Sequence, residues 1–460
     1  MDAAAPPQSE SDTNISARRR AWAARNLDAA TQALLKRDER HFLRQSVSTP
    51  CLNAIVKAEG IWIEDVAGRR YMDFHGNNVH HIGYGHPRLK RAIAEQMDAL
   101  PFTPRRYTSE PAIALAEKLA AIAPGDLSKV LLTTGGSDAV EVAIKIARAA
   151  TGRYKTLSFW DAFHGAGFGS AAVGGEALFR SGPVGPLMPG AEHVAPFGSY
   201  RCPYGMPTAE QSGEACARMI DYVLSRDGDV AAFIAEPIRA VPYLPPEGFW
   251  RTVRDICDRH GTLLVFDEIP MGLGKTGRMF ASEHDGVVPD VMVVGKALGG
   301  GILPIAAVVT RPELDVGGDY AFGHYTHEKN PVTARAALTT IEIIEDERLV
   351  ENAATVGAEA LSRLEEMKGR HPLIGDVRGR GLLLGIELVT NRDTREPATQ
   401  AAEAVMYGAL DRGVSFKTTF GNVLTLTPPL TITAAEMNQA LDAIEAALSE
   451  VEAGGEGAYL

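Results

Sequence analysis

The sequence predicts an α/β fold, with a mainly parallel sheet in a large domain and a smaller α+β domain built from both ends of the chain. Three observations carry this. From about residue 112, apolar runs of four to six residues alternate with helical patterns, the rhythm of strand–helix–strand units. The runs "KVLLTT", "KTLSFW", "AAFIAEP", "TLLVFDE", "VMVVG" and "IAAVVT" are apolar at consecutive positions, as strands covered on both faces are. A hairpin pattern precedes the alternation, and a glycine-broken strand pair and a closing helix follow it.

Residues 1 to about 14 are polar and are expected to be disordered. Ile15 to Arg44, rich in Ala, Arg and Leu, reads as helix. "GIWIEDVAGRRYMDF" reads as a hairpin turning at "EDVAGR". A helix is expected after His86-Pro87. Between the apolar runs, "DAVEVAIKIARAA", "GEACARMIDYVLSR" and "GFWRTVRDICDRHG" carry helical periodicity. After Pro331 a long helix is expected to about Met367. "GDVRGRGLLLGIEL" then reads as a strand pair, and "AAEMNQALDAIEAALSEV" as the last helix. The expected division is an N-terminal extension and helix over 1–45, the first part of the small domain over 46–85, the large domain over 86–330, and the C-terminal small domain over 331–460.

The chain has 460 residues, 45% hydrophobic and 23% charged, ordinary for a globular protein with more than one core. A net charge of -12 argues against a broad nucleic-acid surface. Cys51, Cys202, Cys216 and Cys257 are widely spaced, which indicates neither a zinc site nor a disulfide framework. Reduced thiols fit a cytosolic protein. The start "MDAAAPPQSESDTN" lacks the apolar segment of a signal peptide. No uncharged apolar run reaches the ~18 residues that span a membrane. A cytoplasmic protein with no nucleic-acid or membrane partner is expected.

In open α/β sheets ligands sit beyond the carboxyl ends of the strands, so the residue after each apolar run matters. After "KVLLTT" come Gly135, Gly136 and Ser137, then a helix. Bare amides at a helix start attract anions, although such a turn also serves plain chain reversal. Asp138 and Glu141 have capping-box spacing. After "KTLSFW" come Phe163 and His164, able to offer ring faces to a flat ligand or simply to pack. After "AAFIA" comes Glu236, and after "TLLVF" come Asp267 and Glu268. An acid there is costly unless paired or exposed in a loop. After "VMVVG" comes Lys296, followed by Gly299, Gly300 and Gly301. One sheet edge thus offers an anion turn, an aromatic, carboxylates and an amine. Pyridoxal phosphate requires this set: a helix N-terminus for its phosphate, a carboxylate to keep its ring nitrogen protonated, and a lysine for its aldehyde.

"FDEIPMGLGKTGRMFA" followed by "PDVMVVGKALGGG" resembles the class III aminotransferases, a family of fold type I pyridoxal-phosphate enzymes. The resemblance runs from about residue 50 to the C-terminus. It implies that Lys296 holds the cofactor's aldehyde, Asp267 pairs with its ring nitrogen, Ile269 and Phe163 flank its ring, and Gly136 and Ser137 hold its phosphate. "HYTHEKNPV" resembles the family's T-x-x-G-N-P segment. That implies a homodimer with shared sites, Thr326 reaching the phosphate of the other subunit. Lys329 stands where glycine is usual.

Two segments invite other readings. "GLGKTG", residues 272 to 277, fits G-x-G-x-x-G, but Ile269 stands where a P-loop needs glycine and no full helix is expected after it. His75, His80, His81 and His86 suggest a metal, but their spacing fits no common ligand motif. No metal is expected. Asn77, Asn78 and His80 are better candidates for the wall of a substrate pocket.

Three departures separate the chain from the aminotransferase pattern. Pro270 replaces a glutamine, Thr425 replaces the arginine that pairs with a substrate carboxylate, and Arg239 replaces a second glutamine. Losing that arginine weakens binding of a keto-acid partner. An enzyme that expels a leaving group beside the amine-bearing carbon needs no such partner. "YMDFHGNNVHHIGYGHP", "FTPRRYTSEPAIALA" and "SYRCPYG" resemble the branch of the family whose members release ammonia from amino(hydroxy)phosphonates. Lys296 is then the base for the α-proton, and Arg105, Arg106, Arg180, Arg201 and Lys417 are cations available to a dianion. The alternatives are an ω-amine or ω-amino acid:keto-acid aminotransferase, and a non-enzymatic regulator on the same fold.

Overall fold

A computed structural model describes residues 16–46, 48–198 and 200–454. The polar start lies outside them. The described residues form two compact units: those within 1–76, 83–85 and 352–460, and those within 77–82 and 86–351.

The predicted first helix is two helices, α1 (Ala17–Asn26) and α2 (Ala29–His41). Asp28 causes the break. Its carboxylate caps α2 by accepting from Thr31 N at 2.7 Å, and an N-cap residue cannot itself be helical. The hairpin follows expectation as β2 (Trp62–Asp65) and β3 (Arg70–Asp73), with β1 (Ile55–Glu59) antiparallel to β2. Asp65 holds the turn by accepting from Ala67 N (3.0 Å) and Arg69 N (2.9 Å).

The second unit opens with α3 (Pro87–Ala99) and α4 (Glu110–Ile122). Then come β4 (Lys129–Thr133), α5 (Gly136–Thr151), β5 (Lys155–Phe159), α6 (Phe168–Val173), α7 (Ala177–Arg180), β6 (Ala191–Val194), α8 (Ala209–Arg226), β7 (Val230–Ala235), α9 (Phe249–His260), β8 (Leu263–Asp267), β9 (Val291–Val294), β10 (Ala306–Thr310) and α10 (Pro331–Asp346). The strand order is β4-β10-β9-β8-β7-β5-β6. β9, β8, β7, β5 and β6 pair in parallel, and β10 runs antiparallel to both its neighbours. β6 was not anticipated, because "AEHV" is short and half polar. Alternate residues serve opposite faces. Phe233, Leu264 and Phe266 join Trp250 of α9 in one core; Ile234, Val265 and Val293 join Ala143 and Ile146 of α5 in the other.

The long helix expected from Pro331 is also two: α10, and α11 (Leu349–Arg370). Arg348, between them, has φ 54, which ends a right-handed helix. α10 packs on α3 and α4 and therefore groups with the large unit, placing the boundary near 351 rather than 331. Residues 77–82 likewise group with the large unit.

The chain then returns to the first unit through β11 (Ile374–Arg380), β12 (Leu383–Asn391), β13 (Glu396–Pro397), α12 (Thr399–Asp411), β14 (Val414–Ser415), β15 (Lys417–Thr419), β16 (Val423–Leu426) and α13 (Ala434–Gly454). β14 pairs in parallel with β3, Val414 opposite Met72. That pairing builds the smaller α+β unit from both ends of the chain, as expected.

Trp250 is 1% exposed, stands edge-on to Phe266 at 4.8 Å, and donates from Nε1 to Pro237 O at 2.8 Å. Trp250→Ala should lower stability by about 3–5 kcal/mol, read as a fall in the urea midpoint.

Candidate active site

Parallel pairing sets Asp267 opposite Val293, and Glu268 N donates to Val293 O at 2.9 Å. Asp267 and, just beyond Val293, Lys296 therefore leave the sheet at the same edge. Lys296 opens a single 3-10 turn (Lys296–Gly299) with φ 45, a strained conformation for a residue with a Cβ. It is half-buried and forms no ion pair among the described residues. Ile269 joins the two strand ends to the glycine turn. A Cβ built on Gly136 would lie 2.9 Å from Ile269 Cδ1, and one built on Gly295 would lie 3.4 Å from Ile269 Cγ2.

Asp267 is 2% exposed. Its Oδ1 accepts from Ile269 N at 3.0 Å, and its Oδ2 accepts from His164 Nδ1 at 2.8 Å. His164 is thus the hydrogen-bond partner of Asp267. Its Nε2 is buried without a partner among the described residues. Phe163 is half-buried, its ring 4.6 Å from Phe179. Gly136 and Ser137 open α5, whose N-cap, Gly135, makes no side-chain capping bond. The first amides of that helix remain available to an anion. Ser137 Oγ accepts from Ala166 N at 3.1 Å. Gly165, passed over in the sequence, matters here: at φ 130, a Cβ on it would lie 2.5 Å from Ser137 Oγ. The "HG" pair after Phe163 was its signal.

The capping box suggested by Asp138 and Glu141 does not form, because Gly135 has no side chain to accept. Asp138 Oδ2 accepts from Thr134 Oγ1 at 2.6 Å instead. Glu141 Oε1 accepts from Gly169 N (2.9 Å) and Ser170 N (2.8 Å) in α6. Glu236 is buried; its Oε2 accepts from Ala240 N at 2.9 Å, and Arg239 lies 3.9 Å from its Oε1. Arg239 also donates to Asp161 O and covers the Tyr243 ring, so it is held by the fold. Glu268 accepts from Ala281 N (2.9 Å) and Ser282 N (2.8 Å), and burial pushes its carboxyl up to about 7.

Asn77 and Asn78 have φ 47 and 58; Asn77 is exposed, whereas Asn78 and His80 are buried. Arg105 Nε pairs with Glu328 Oε1 at 3.2 Å. That pair lines a cavity of 690 Å³ with Lys129, Tyr320 and Lys329, and neither Lys296 nor Asp267 lines it. Arg106 and Thr326 are exposed. Arg180 lies over the Trp160 ring at 4.8 Å. Residues 272–277 run in turns and lead only to a 3-10 turn (Ala281–His284), with Lys275 buried. His86 pairs with Glu347 at 3.0 Å. Thr425 lies buried in the other unit, its hydroxyl 2.8 Å from Thr419 Oγ1.

The profile described as Aminotransferase class-III matches residues 44–448. The chain belongs to the class III aminotransferase family. Among curated relatives, the (R)-1-hydroxy-2-aminoethylphosphonate ammonia-lyase of Vibrio splendidus (strain 12B01) is 44% identical over 96% of this chain and 95% of its own. The leucine/methionine racemase of Thermococcus litoralis is 38% identical over 93% of this chain and 97% of its own. An amine transaminase from an uncultivated Pseudomonas species, solved in its PLP-bound form, superposes with a TM-score of 0.83 at 31% identity, covering 89% of this chain and 98% of that one.

The class III site suits pyridoxal phosphate on its own geometry. The glycine-opened start of α5 suits a phosphate. Each oxygen of Asp267 keeps a second lone pair for a ring N–H, and the Lys296 amine is uncommitted. Gly136→Val drives a side chain into Ile269. Overpacking of this kind costs about 1–3 kcal/mol, so affinity for pyridoxal phosphate, titrated by its visible absorption, should fall by roughly 5- to 150-fold.

Proposed function

We propose that the chain is a pyridoxal-phosphate-dependent ammonia-lyase acting on an amino(hydroxy)phosphonate such as (R)-1-hydroxy-2-aminoethylphosphonate, giving an aldehyde and ammonia. The observation that carries it is the 44% identity, over nearly the whole of both chains, to the ammonia-lyase from Vibrio. It is supported by Asp267 and Lys296 at one sheet edge, and by a threonine where a keto-acid-binding arginine is usual.

Once bound, the cofactor supplies an electron sink for the charge left on the amine-bearing carbon. Lys296 would hold its aldehyde, and its amine would accept the proton from the amine-bearing carbon of the substrate. Asp267 would face the ring N–H, and the His164 Nδ1–H bond fixes which way the carboxylate points. The start of α5, with Gly136 and Ser137, would hold the phosphate; Phe163 and Ile269 would flank the ring, and Glu236 would shape the wall beside it. The electron pair left by the proton that Lys296 accepts expels hydroxide from the neighbouring carbon, which then regains a proton, and water adds at the amine-bearing carbon so that aldehyde and ammonia depart. No second substrate is consumed.

The protein is proposed to be a cytoplasmic homodimer, with exposed Thr326 serving the phosphate of the partner's site. No helix among the described residues is long and apolar enough to cross a membrane. The alternative, an ω-amino acid or amine:keto-acid aminotransferase, is favoured by the structural likeness to an amine transaminase.

Purified protein given (R)-1-hydroxy-2-aminoethylphosphonate without keto acid should release ammonia and aldehyde in equal amounts. Turnover only with added pyruvate or 2-oxoglutarate would establish the aminotransferase instead. Lys296→Ala should abolish the visible band of the bound aldehyde and lower turnover by at least about 10³-fold. An unchanged band in that variant would remove Lys296 from the chemistry.

A further inference from the structure

The segment from Asn77 to Ile82 is wedged between the two loops that carry the reacting groups. His81 Nε2 lies 3.2 Å from Gly272 O, in the loop after Asp267. A carbonyl only accepts, so this nitrogen carries the proton and the imidazole is tied to that loop. On the other side, a Cβ on Gly301, in the loop after Lys296, would lie 3.2 Å from Val79 O and 3.7 Å from His80 Cα. The segment is thus held at Val79–His81, by a side-chain hydrogen bond on one side and close backbone packing on the other.

Asn78 lies within it. It is 6% exposed, it holds a left-handed backbone with φ 58, and its Oδ1 has no hydrogen-bond partner among the described residues. Each of these features is unfavourable for a residue that only fills space. Leucine or valine would bury the same volume without an unpaired acceptor, whose desolvation is costly. A left-handed backbone in the residue before it, Asn77 with φ 47, compounds the strain, and strain of this kind is held at functional sites. The orphaned Oδ1 on this held segment is open to a partner that arrives from outside the fold. Terminal amide torsions are soft, so the group turns to meet that partner.

Resting on the lyase reading above, we propose that the side-chain amide of Asn78 reads the hydroxyl beside the amine-bearing carbon of the substrate, with Oδ1 accepting from its O–H. Lys296 takes a proton from one carbon while the C–O bond breaks on the next, so the hydroxyl must be held at one rotation about the bond between them. A phosphonate, with only acceptor oxygens when ionised, cannot donate to Oδ1. The hydroxyl can. Asn78 is therefore a specificity-determining residue for the leaving group.

The test uses the holoenzyme and two phosphonates that differ only in that hydroxyl: (R)-1-hydroxy-2-aminoethylphosphonate and 2-aminoethylphosphonate. Their Kd values are read from the change each makes in the cofactor's visible spectrum, the first by stopped flow before turnover. Wild type should favour the hydroxylated compound. Asn78→Gly, which accepts φ 58 without strain, should lower that preference roughly ten-fold, the size of one hydrogen bond. Asn78→Asp keeps an acceptor and should retain the preference, because any repulsion of the phosphonate affects both compounds and cancels in the ratio. A purely structural role would shift both Kd values together and leave the ratio unchanged, which would overturn the proposal while leaving the lyase reading intact. If wild type released no ammonia from the hydroxylated compound, the lyase reading would fall and this proposal with it.

Discussion

The parallel pairing of β8 with β9 is the constraint on which the site depends. Parallel strands present their carboxyl ends on one edge, so Asp267 and Lys296, far apart in sequence, emerge as neighbours. Register does the rest. Side chains alternate across a strand, and a slip of one residue exchanges the faces. At this strand end two acids follow one another. Asp267 turns to His164 and the site, while Glu268 turns to the amides of Ala281 and Ser282. A one-residue slip would exchange their places. Asp290 guards the register from the far end of the pair: its carboxylate accepts from Leu264 N at 2.7 Å and pairs with Arg254 at 2.8 Å.

Most of the acids near this edge hold backbone rather than ligand. Glu141 fastens the start of α6, Glu236 the turn at Ala240, and Glu268 the loop beyond Asp267. Each meets backbone N–H groups that a loop of poor regularity would otherwise leave unpaired. The cost of burying a carboxylate is offset by these bonds. The loops after β5, β7 and β8 are thereby kept in place around Asp267.

The departures from the aminotransferase pattern also acquire physical meaning. Thr425 forms a buried hydroxyl pair with Thr419, a neutral contact with no capacity to hold a carboxylate in bidentate fashion. Arg239 is spent on Glu236 and a backbone carbonyl. Arg105 is paired with Glu328. Of the cations that looked available to a dianion, Arg105 is therefore committed to an ion pair of the fold.

The apolar runs made the sheet legible, since strands covered on both faces are apolar at every position, and the residue after each run was legible as a site candidate because strand ends face the ligand edge. The pairing of both chain ends into one smaller unit also followed from pattern. What could not be read were features set by contacts between distant residues. The helices broken at Asp28 and Arg348 keep helical composition across the break. β6 is a strand because its neighbour β5 pairs with it, not because "AEHV" is apolar. The assignment of His164 to Asp267, of Glu141 to α6, and of residues 77–82 to the large unit depended on where distant chain segments meet. The sequence by itself determined which chemical groups the site has at its disposal, because residue type and strand-end position are local. Only the tertiary structure decided which of them face one another, because hydrogen-bond partners are chosen by distance in space.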